Sequence, residues 1–188
     1  MKLKHFILLL AMILLMLMSG CGVMEKELNA FPYEYMIGLN DLPDDFKYRD
    51  SAFPTVEGAK SFSIIYGRTS EELGTGILHQ VAIYPDMEIA LKSNSFWQEE
   101  AFTNAYVPNM ESTFRPTDSE DNYYLKCMPT TINGVEGQSC SFLQFHNNLV
   151  ILIYVGINDE RSMSMEEFDM VLQKLDARLP TENVPMPE

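Results

Sequence analysis

The sequence predicts an α+β domain: an antiparallel sheet, made of a hairpin followed by a three-stranded meander, with two helices packed against it. Two observations predict this fold. Short segments rich in β-branched and aromatic residues recur between turn signals, as strands do, and two longer segments carry apolar residues at helical spacing. Their order along the chain is strands, helix, strands, helix, which is typical of helices packed on one antiparallel sheet.

The first half of the chain supplies the hairpin of the predicted sheet. A turn at 39–46 leads into a short strand near 47–53. Residues 59–66 and 76–84 have the composition of two further strands, and the polar, glycine-containing stretch 67–75 between them is predicted to be a loop. These two strands form the predicted hairpin.

The two helices are predicted by apolar spacing and by capping residues. Asp86 can cap a helix over 87–105, which Ser93–Ser95 is expected to bend or interrupt. Ser164–Glu167 is a capping box, and it opens a second helix that ends near Arg178. One stripe of this second helix is apolar, with Phe168, Val171, Leu172, Leu175 and Leu179.

The second half of the chain contains the meander. Tyr123–Ile132 and Val135–His146 are strand-like and are separated by Asn133-Gly134, the strongest two-residue hairpin signal. Asn147-Asn148 makes a second tight turn before Leu149–Ile157. This last strand is apolar without polar alternation, which predicts a central strand covered on both faces.

Length and composition indicate one globular domain. The chain has 188 residues, 46% of them hydrophobic and 21% charged, which excludes disorder over the whole chain. We place the domain at 36–179, between a spacer at 21–35 and a flexible proline-rich tail at 180–188. The 13 basic and 27 acidic residues give a net charge of −14. This charge argues against nucleic acid as a partner, because phosphate binding needs clustered Lys and Arg.

The amino terminus has the layout of a secretory signal. Lys2 and Lys4 precede an uncharged apolar run of 13 residues at 6–18, and the small residues Ser19-Gly20 follow, next to Cys21. As a helix the run would be about 20 Å long, which is too short for a hydrocarbon core of about 30 Å.

The segment Leu17-Met18-Ser19-Gly20-Cys21 resembles the lipobox of bacterial lipoproteins. The resemblance implies a signal peptide at 1–20, cleavage before Cys21, and acyl chains on the Cys21 sulfur that hold the protein to a membrane, since two or three chains anchor stably. The protein would then lie on the extracytoplasmic face of the cell membrane. It could lie on the outer membrane of a Gram-negative cell, because Gly22 is not the Asp that favours inner-membrane retention. The alternative is an ordinary signal peptide or an uncleaved anchor.

The remaining cysteines predict a disulfide. Cys127 and Cys140 each lie six residues from the Asn133-Gly134 turn, so a two-residue hairpin places them directly opposite each other. They fall on a non-hydrogen-bonded pair, whose Cα atoms are about 4.5 Å apart, within the disulfide range of about 4.4–6.8 Å. Export would supply an oxidising compartment. Reduced core thiols and a redox-active pair are the alternatives. Pro129 also falls on a non-hydrogen-bonded site, and its missing N–H would point away from the partner strand, which is tolerable if the strand is a sheet edge there.

The sequence predicts no metal site and no cofactor. His79 and His146 do not stand at a known zinc spacing from the two cysteines. Two acidic loops, at 41–45 and 118–122, offer oxygen ligands but lack the pattern of a calcium-binding EF-hand. We expect these loops to be solvated, with calcium binding in one of them as the alternative.

No catalytic constellation is visible in the sequence. There is no G-x-S-x-G elbow and no glycine-rich phosphate loop. Cys140 and His146 would lie about 20 Å apart on one strand, too far for a nucleophile and its base. The neighbouring acid pairs at 71–72, 99–100 and 166–167 are expected to be solvated faces and not a glycosidase dyad.

Over residues 40–179 the order of elements resembles PsbP-like domains and the extracytoplasmic sensor domains of serine/threonine kinases. These are secreted or lumenal modules without catalytic machinery of their own. The resemblance implies a lipid-anchored envelope module that binds a protein or a small ligand. The alternatives are an envelope enzyme with an acidic active site and a calcium- or redox-responsive sensor.

Overall fold

The computed structural model describes residues 31–68, 76–103, 105–118, 122–132, 134–158 and 162–187. The predicted signal peptide and Cys21 therefore lie outside the described residues. Tyr33–Met186 forms one unit around a seven-stranded antiparallel sheet with the order β1-β2-β3-β7-β6-β5-β4. The strands are β1 Phe46–Ala52, β2 Lys60–Arg68, β3 Gly76–Ile83, β4 Val107–Pro108, β5 Asn122–Ile132, β6 Val135–His146 and β7 Leu149–Ile157.

The described helices are three α-helices and two short 3₁₀ turns. The α-helices are α1 Met87–Lys92, α2 Asn94–Ala101 and α3 Met165–Asp176, and the 3₁₀ turns are Tyr33–Tyr35 and Leu39–Asp41. None of the described helices is long and apolar enough to cross a membrane.

The prediction of an antiparallel sheet with helices is confirmed, but the detailed arrangement differs. The predicted hairpin and meander are not separate, because β3 pairs with β7 along seven residue pairs and merges them into one sheet. The physical reason is visible in burial: β7 is apolar on both faces, and β3 ends in Val81, Ala82 and Ile83, which are all fully buried. Strands with such apolar residues are stable in the middle of a sheet, where both faces are covered, and β3 and β7 lie there side by side.

The predicted helix over 87–105 is two helices. Asp86 caps α1 as predicted, since its Oδ1 accepts a hydrogen bond from the backbone N–H of Ile89 at 2.8 Å. At Ser93 the backbone leaves the helical conformation (φ −80°, ψ 0°), and the Ser93 hydroxyl donates to the carbonyl of Ala90 at 2.6 Å. Serine competes in this way with helical hydrogen bonding, and it divides α1 from α2.

Helices α1 and α2 cover one face of the sheet. Their core contacts are with residues that alternate along the central strands, including Ala82, Leu143 and Leu152. Trp97 of α2 is 1% exposed, and its Nε1 donates to the Tyr84 hydroxyl at 2.9 Å. A buried indole with a satisfied N–H fixes the helix on this face.

Helix α3 lies on the opposite face of the sheet. Phe142 points away from Leu143 and packs edge-on against Phe114, whose segment is hydrogen-bonded to α3. The predicted capping box is present, with reciprocal bonds between Ser164 and Glu167 of 2.8 and 3.1 Å. The predicted apolar stripe is buried as far as Leu175.

The proline-rich segment after α3 is bonded to the turn between β6 and β7. The backbone of Val184 and the side chain of Asn148 exchange two hydrogen bonds, of 2.7 and 2.8 Å. Asn148 also donates to the carbonyl of Tyr84 at 2.6 Å. The segment predicted as a flexible tail is therefore attached to the sheet at least as far as residue 184.

Candidate functional site

A disulfide joins the two strands at the centre of the candidate site. Cys127 of β5 and Cys140 of β6 stand directly opposite each other, with their Cα atoms 4.1 Å apart and both residues buried. This confirms the disulfide predicted from the Asn-Gly turn. Asn133 itself lies outside the described residues, and Gly134 has the positive φ of 81° that such a turn requires.

A segment that we call the strap, residues 105–118, crosses the edge of the sheet beside the disulfide. It comes from α2 on one face, forms β4 by pairing Val107 with Cys127, and continues to α3 on the other face. Asn109 holds the turn, because its Oδ1 accepts hydrogen bonds from the backbone N–H groups of Glu111 and Ser112, both at 2.8 Å. Its Nδ2 donates to the Sγ of Cys127 at 3.1 Å. One asparagine therefore joins the strap to the disulfide.

The far end of the strap is bound to a buried carboxylate. Asp169 of α3 accepts hydrogen bonds from the Ser112 hydroxyl at 2.6 Å and from the backbone N–H and hydroxyl of Thr113 at 2.7 and 2.9 Å. It is only 5% exposed. A buried carboxylate needs such donors, so Asp169 fixes where the strap crosses the face of the sheet. Phe114 completes the attachment by packing against Tyr123 and Phe142.

An open groove runs between the strap, the tips of β5 and β6, and the start of α3. Its first part, with a volume of about 830 Å³, is lined by 107–111 on the strap and by Cys127, 129–131 and 136–138 on the hairpin. Its second part, of about 540 Å³, is lined by Glu111, 135–138, Ile157, Asn158 and 164–166. The two parts share Glu111 and 136–138, so they adjoin each other.

Carboxylates line the groove, and two exposed apolar side chains of the strap form its rim. Glu111, Glu136 and Glu166 are exposed carboxylates in its lining, and none of the described lining residues is basic. Val107 is 58% exposed and Met110 is 91% exposed, so the strap presents bare apolar side chains along one edge.

The floor of the groove ends at an open strand edge. The backbone N–H of Asn109 donates to the carbonyl of Leu125 at 3.0 Å. Alternate residues of a strand point their backbone groups to the same side, so the odd-numbered residues of β5 turn theirs toward that edge. Pro129 has the same parity and carries no N–H, as the sequence led us to expect of an edge position. Beyond β4, the edge therefore offers carbonyl oxygens with one N–H fewer than a normal strand.

The two histidines have separate structural roles. His79 is fully buried on β3, where its Nδ1 accepts a hydrogen bond from the backbone N–H of Ile37. His146 is 7% exposed, and its Nε2 lies 2.6 Å from the carbonyl oxygen of Pro180. Across the described ranges, no group of three or more His, Cys, Asp or Glu side chains is placed to hold a metal ion.

The carboxylates of the first acidic loop are bound to arginines, whereas most of the second loop lies outside the described residues. In the first, Asp41 binds Arg178 through both carboxylate oxygens at 2.8 Å, and Asp45 lies 2.9 Å from the Nε of Arg68. These carboxylates are thus paired with arginines. Residues 119–121 of the second loop, like the acid pair at 71–72, lie outside the described residues.

Of the acid pairs considered from the sequence, Glu99, Glu100 and Glu166 are exposed and Glu167 is half-buried. The Ser139 hydroxyl lies 3.2 Å from the hydroxyl of Tyr106, and Cys140 is held in the disulfide. Glu167 caps its own helix. The groove as a whole was not found from the sequence, because its residues come from separate elements and share no motif.

No protein-family model, curated protein or solved structure matches this chain.

Proposed function

We propose that this protein is a lipid-anchored module of the bacterial cell envelope, held at the extracytoplasmic face of a membrane through Cys21, and that it binds a partner in the groove beside the Cys127–Cys140 disulfide. It does so without catalysis. The observation that carries the proposal is the open groove whose wall is a strap fixed to a disulfide on one side and to Asp169 on the other.

The disulfide supports the location. Structural disulfides form and persist in oxidising compartments, which a cell reaches by export. The lipobox-like segment at 17–21 supplies both the export signal and the anchor. A folded domain on such an anchor works by presenting a surface, and the groove is a preorganised surface of this kind.

The charge of the mature chain fits a domain that stands away from the lipid surface. Cleavage before Cys21 removes Lys2 and Lys4 and no acidic residue, which leaves 11 of the 13 basic residues against 27 acidic ones. An anionic membrane surface repels such a chain. The groove would then remain accessible to partners in the surrounding compartment.

Two measurements on the full chain test the proposal. The intact mass of the membrane-extracted protein should correspond to a chain that begins at an acylated Cys21, and Cys21→Ala should release the protein from the membrane fraction. A photo-crosslinking amino acid at Met110 should capture a partner in the cell, whereas the same group at Glu57, an exposed residue outside the groove, should not. Cytosolic protein with free thiols, or equal capture at both positions, would refute it.

A further inference from the structure

We propose that the occupant of the groove is an extended, basic segment of polypeptide, with lysine or arginine side chains that pair with the carboxylates of the lining and apolar side chains that cover Met110 and Val107. This inference rests on the function proposed above and names the class of partner. Its three supports are the charge of the lining, the composition of the β5 edge, and the size and rim of the groove.

The charge of the lining favours a cation. Glu111, Glu136 and Glu166 line the groove, and the described lining residues include no Lys, Arg or His to neutralise them. The amino end of α3 brings a partial positive charge to the second part, but Glu166 and Glu167 in its first turn outweigh it. The three carboxylates therefore attract a positive ligand to the groove, and the excess of acidic over basic residues in the chain attracts it to the protein from a distance.

The edge of β5 favours side-chain donors over an added β-strand. Backbone groups at 129 and 131 face outward, in the same direction as the carbonyl of Leu125 that accepts from Asn109. Pro129 contributes a carbonyl and no N–H, so a peptide backbone that paired with this edge would leave one of its own acceptors unpaired. Ammonium and guanidinium groups carry donors only, which suits an edge and a lining rich in acceptors.

The size and rim of the groove favour a chain over a single small cation. Each of its two parts falls in the range of about 300–1,000 Å³ that holds an organic ligand, and they lie in series. At the rim, Met110 is an unbranched and polarisable side chain that adapts to different apolar partners, and Val107 extends the same apolar edge. Apolar residues between the basic residues of a partner would cover both.

The test measures binding of defined peptides to the full-length acylated protein in uncharged detergent micelles. The probe is a short labelled peptide in which lysine and valine alternate, with glutamine–valine and glutamate–valine peptides for comparison, and spermine as a small competing polycation. The variant Glu111→Gln/Glu136→Gln/Glu166→Gln removes the three groove charges. The matched control Glu57→Gln/Glu99→Gln/Glu182→Gln removes three exposed charges that do not line the groove.

We expect the lysine–valine peptide to bind best, the groove variant to weaken its binding by about tenfold, and the control variant to change it less than twofold. Met110→Ser should weaken binding of the lysine–valine peptide but not of a lysine–serine peptide. Equal weakening by both triple variants, or displacement by equimolar spermine, would overturn the proposal.

The experiments distinguish failure of the basic-peptide proposal from failure of the groove as a binding site. If the three valine peptides bind equally or not at all while the crosslink at Met110 still forms, the groove is a binding site and the basic-peptide proposal is wrong. If neither the peptides nor the crosslinker detect a ligand, the proposed function fails as well.

Discussion

The backbone N–H of Ile37 donates a hydrogen bond to the Nδ1 of His79 over 2.9 Å, across 42 positions of the sequence. The Tyr66 hydroxyl donates to the carbonyl of the same Ile37 at 2.8 Å. Both backbone polar groups of Ile37 are thus bonded to side chains of the sheet. The interaction also fixes the imidazole tautomer: Nδ1 is the acceptor, so neutral His79 carries its proton on Nε2.

Because His79 is buried, the free energy of unfolding should decrease in acid. Burial, and secondarily the charge of Arg178, lower the pKa of His79 from 6.5 to about 3. Between these values the unfolded chain binds a proton at His79 that the folded chain does not. The free energy of unfolding should therefore fall as pH falls, by about 1.4 kcal/mol for each unit below pH 6. Urea unfolding from pH 7 to 4.5 measures this, and His79→Gln should have the shallower pH dependence. Parallel curves would contradict the assignment.

Arg178 should also hold the segment around Ile37, through Met36 and Asp41. Its guanidinium binds both oxygens of Asp41 at 2.8 Å and donates to the carbonyl of Met36 at 3.1 Å. Burial raises the pKa of Asp41, but the Arg178 and Gly38 hydrogen bonds more than offset this, and the pKa is lowered. Lysine cannot reproduce the planar fork, so Arg178→Lys should cost about 1 kcal/mol and speed amide exchange at Gly38.

The control for Arg178 is an exposed ion pair of ordinary geometry. Lys92 and Glu88 are paired one helical turn apart with side chains 70% and 79% exposed. Lys92→Ala should change stability by less than about 0.5 kcal/mol and leave the amide exchange of Gly38 unchanged. An equal loss in both variants would mean that the Arg178 fork has no special contribution.

The disulfide should stabilise the fold appreciably. It closes a loop between positions 13 apart, and by the chain-entropy model a loop of this size contributes about 3 kcal/mol. Cys127→Ala/Cys140→Ala should lose about 2–3 kcal/mol in denaturant unfolding, and reduction of the wild-type protein should have a similar effect. A double variant as stable as the oxidised wild type would contradict this prediction.

Asp169 should determine the order of the strap. Asp169→Ala removes the acceptor for three hydrogen bonds from Ser112 and Thr113, and we expect a loss of about 3 kcal/mol together with faster proteolysis within the strap. Glu166→Gln on the same helix is the control, because Glu166 is exposed. Unchanged proteolysis of the strap in Asp169→Ala would contradict this prediction.

Gly137 should be required where β6 meets the end of β7. A Cβ atom at this position would lie 2.7 Å from the backbone oxygen of Ile157, which is too close for any side chain. Gly137→Ala should therefore destabilise by about 1–3 kcal/mol. At Gly38 the nearest neighbour of such an atom would be 3.8 Å away, so Gly38→Ala is a suitable control and should be tolerated.

The parts of the fold that were predictable are those fixed by local chemistry. The Asn-Gly turn set the β5–β6 register and with it the Cys127–Cys140 pair, and the capping box fixed the start of α3. These signals act over a few residues, so one sequence is enough to read them. The resemblance of 17–21 to a lipobox is a local signal too, and both the lipobox and acylation of Cys21 remain predictions.

The parts that were missed depend on distant contacts. Strand β4 has two residues and no periodicity, and only its pairing with β5 makes it a strand. The groove has the same origin: Glu111, Glu136 and Glu166 come from three elements that meet because Asp169 holds the strap across the sheet. No spacing along the chain predicts that these three carboxylates lie close together.

Both outer edges of the sheet discourage polymerisation. On β1 the pairing register shifts between Tyr48 and Asp50, and the residues from Lys47 to Asp50 are exposed and mostly charged, while β5 has a proline at its open end. Molecules concentrated on a two-dimensional surface collide edge to edge far more often than molecules in solution. A sheet with one irregular, charged border and one border missing a donor can be crowded in this way without growing into fibrils.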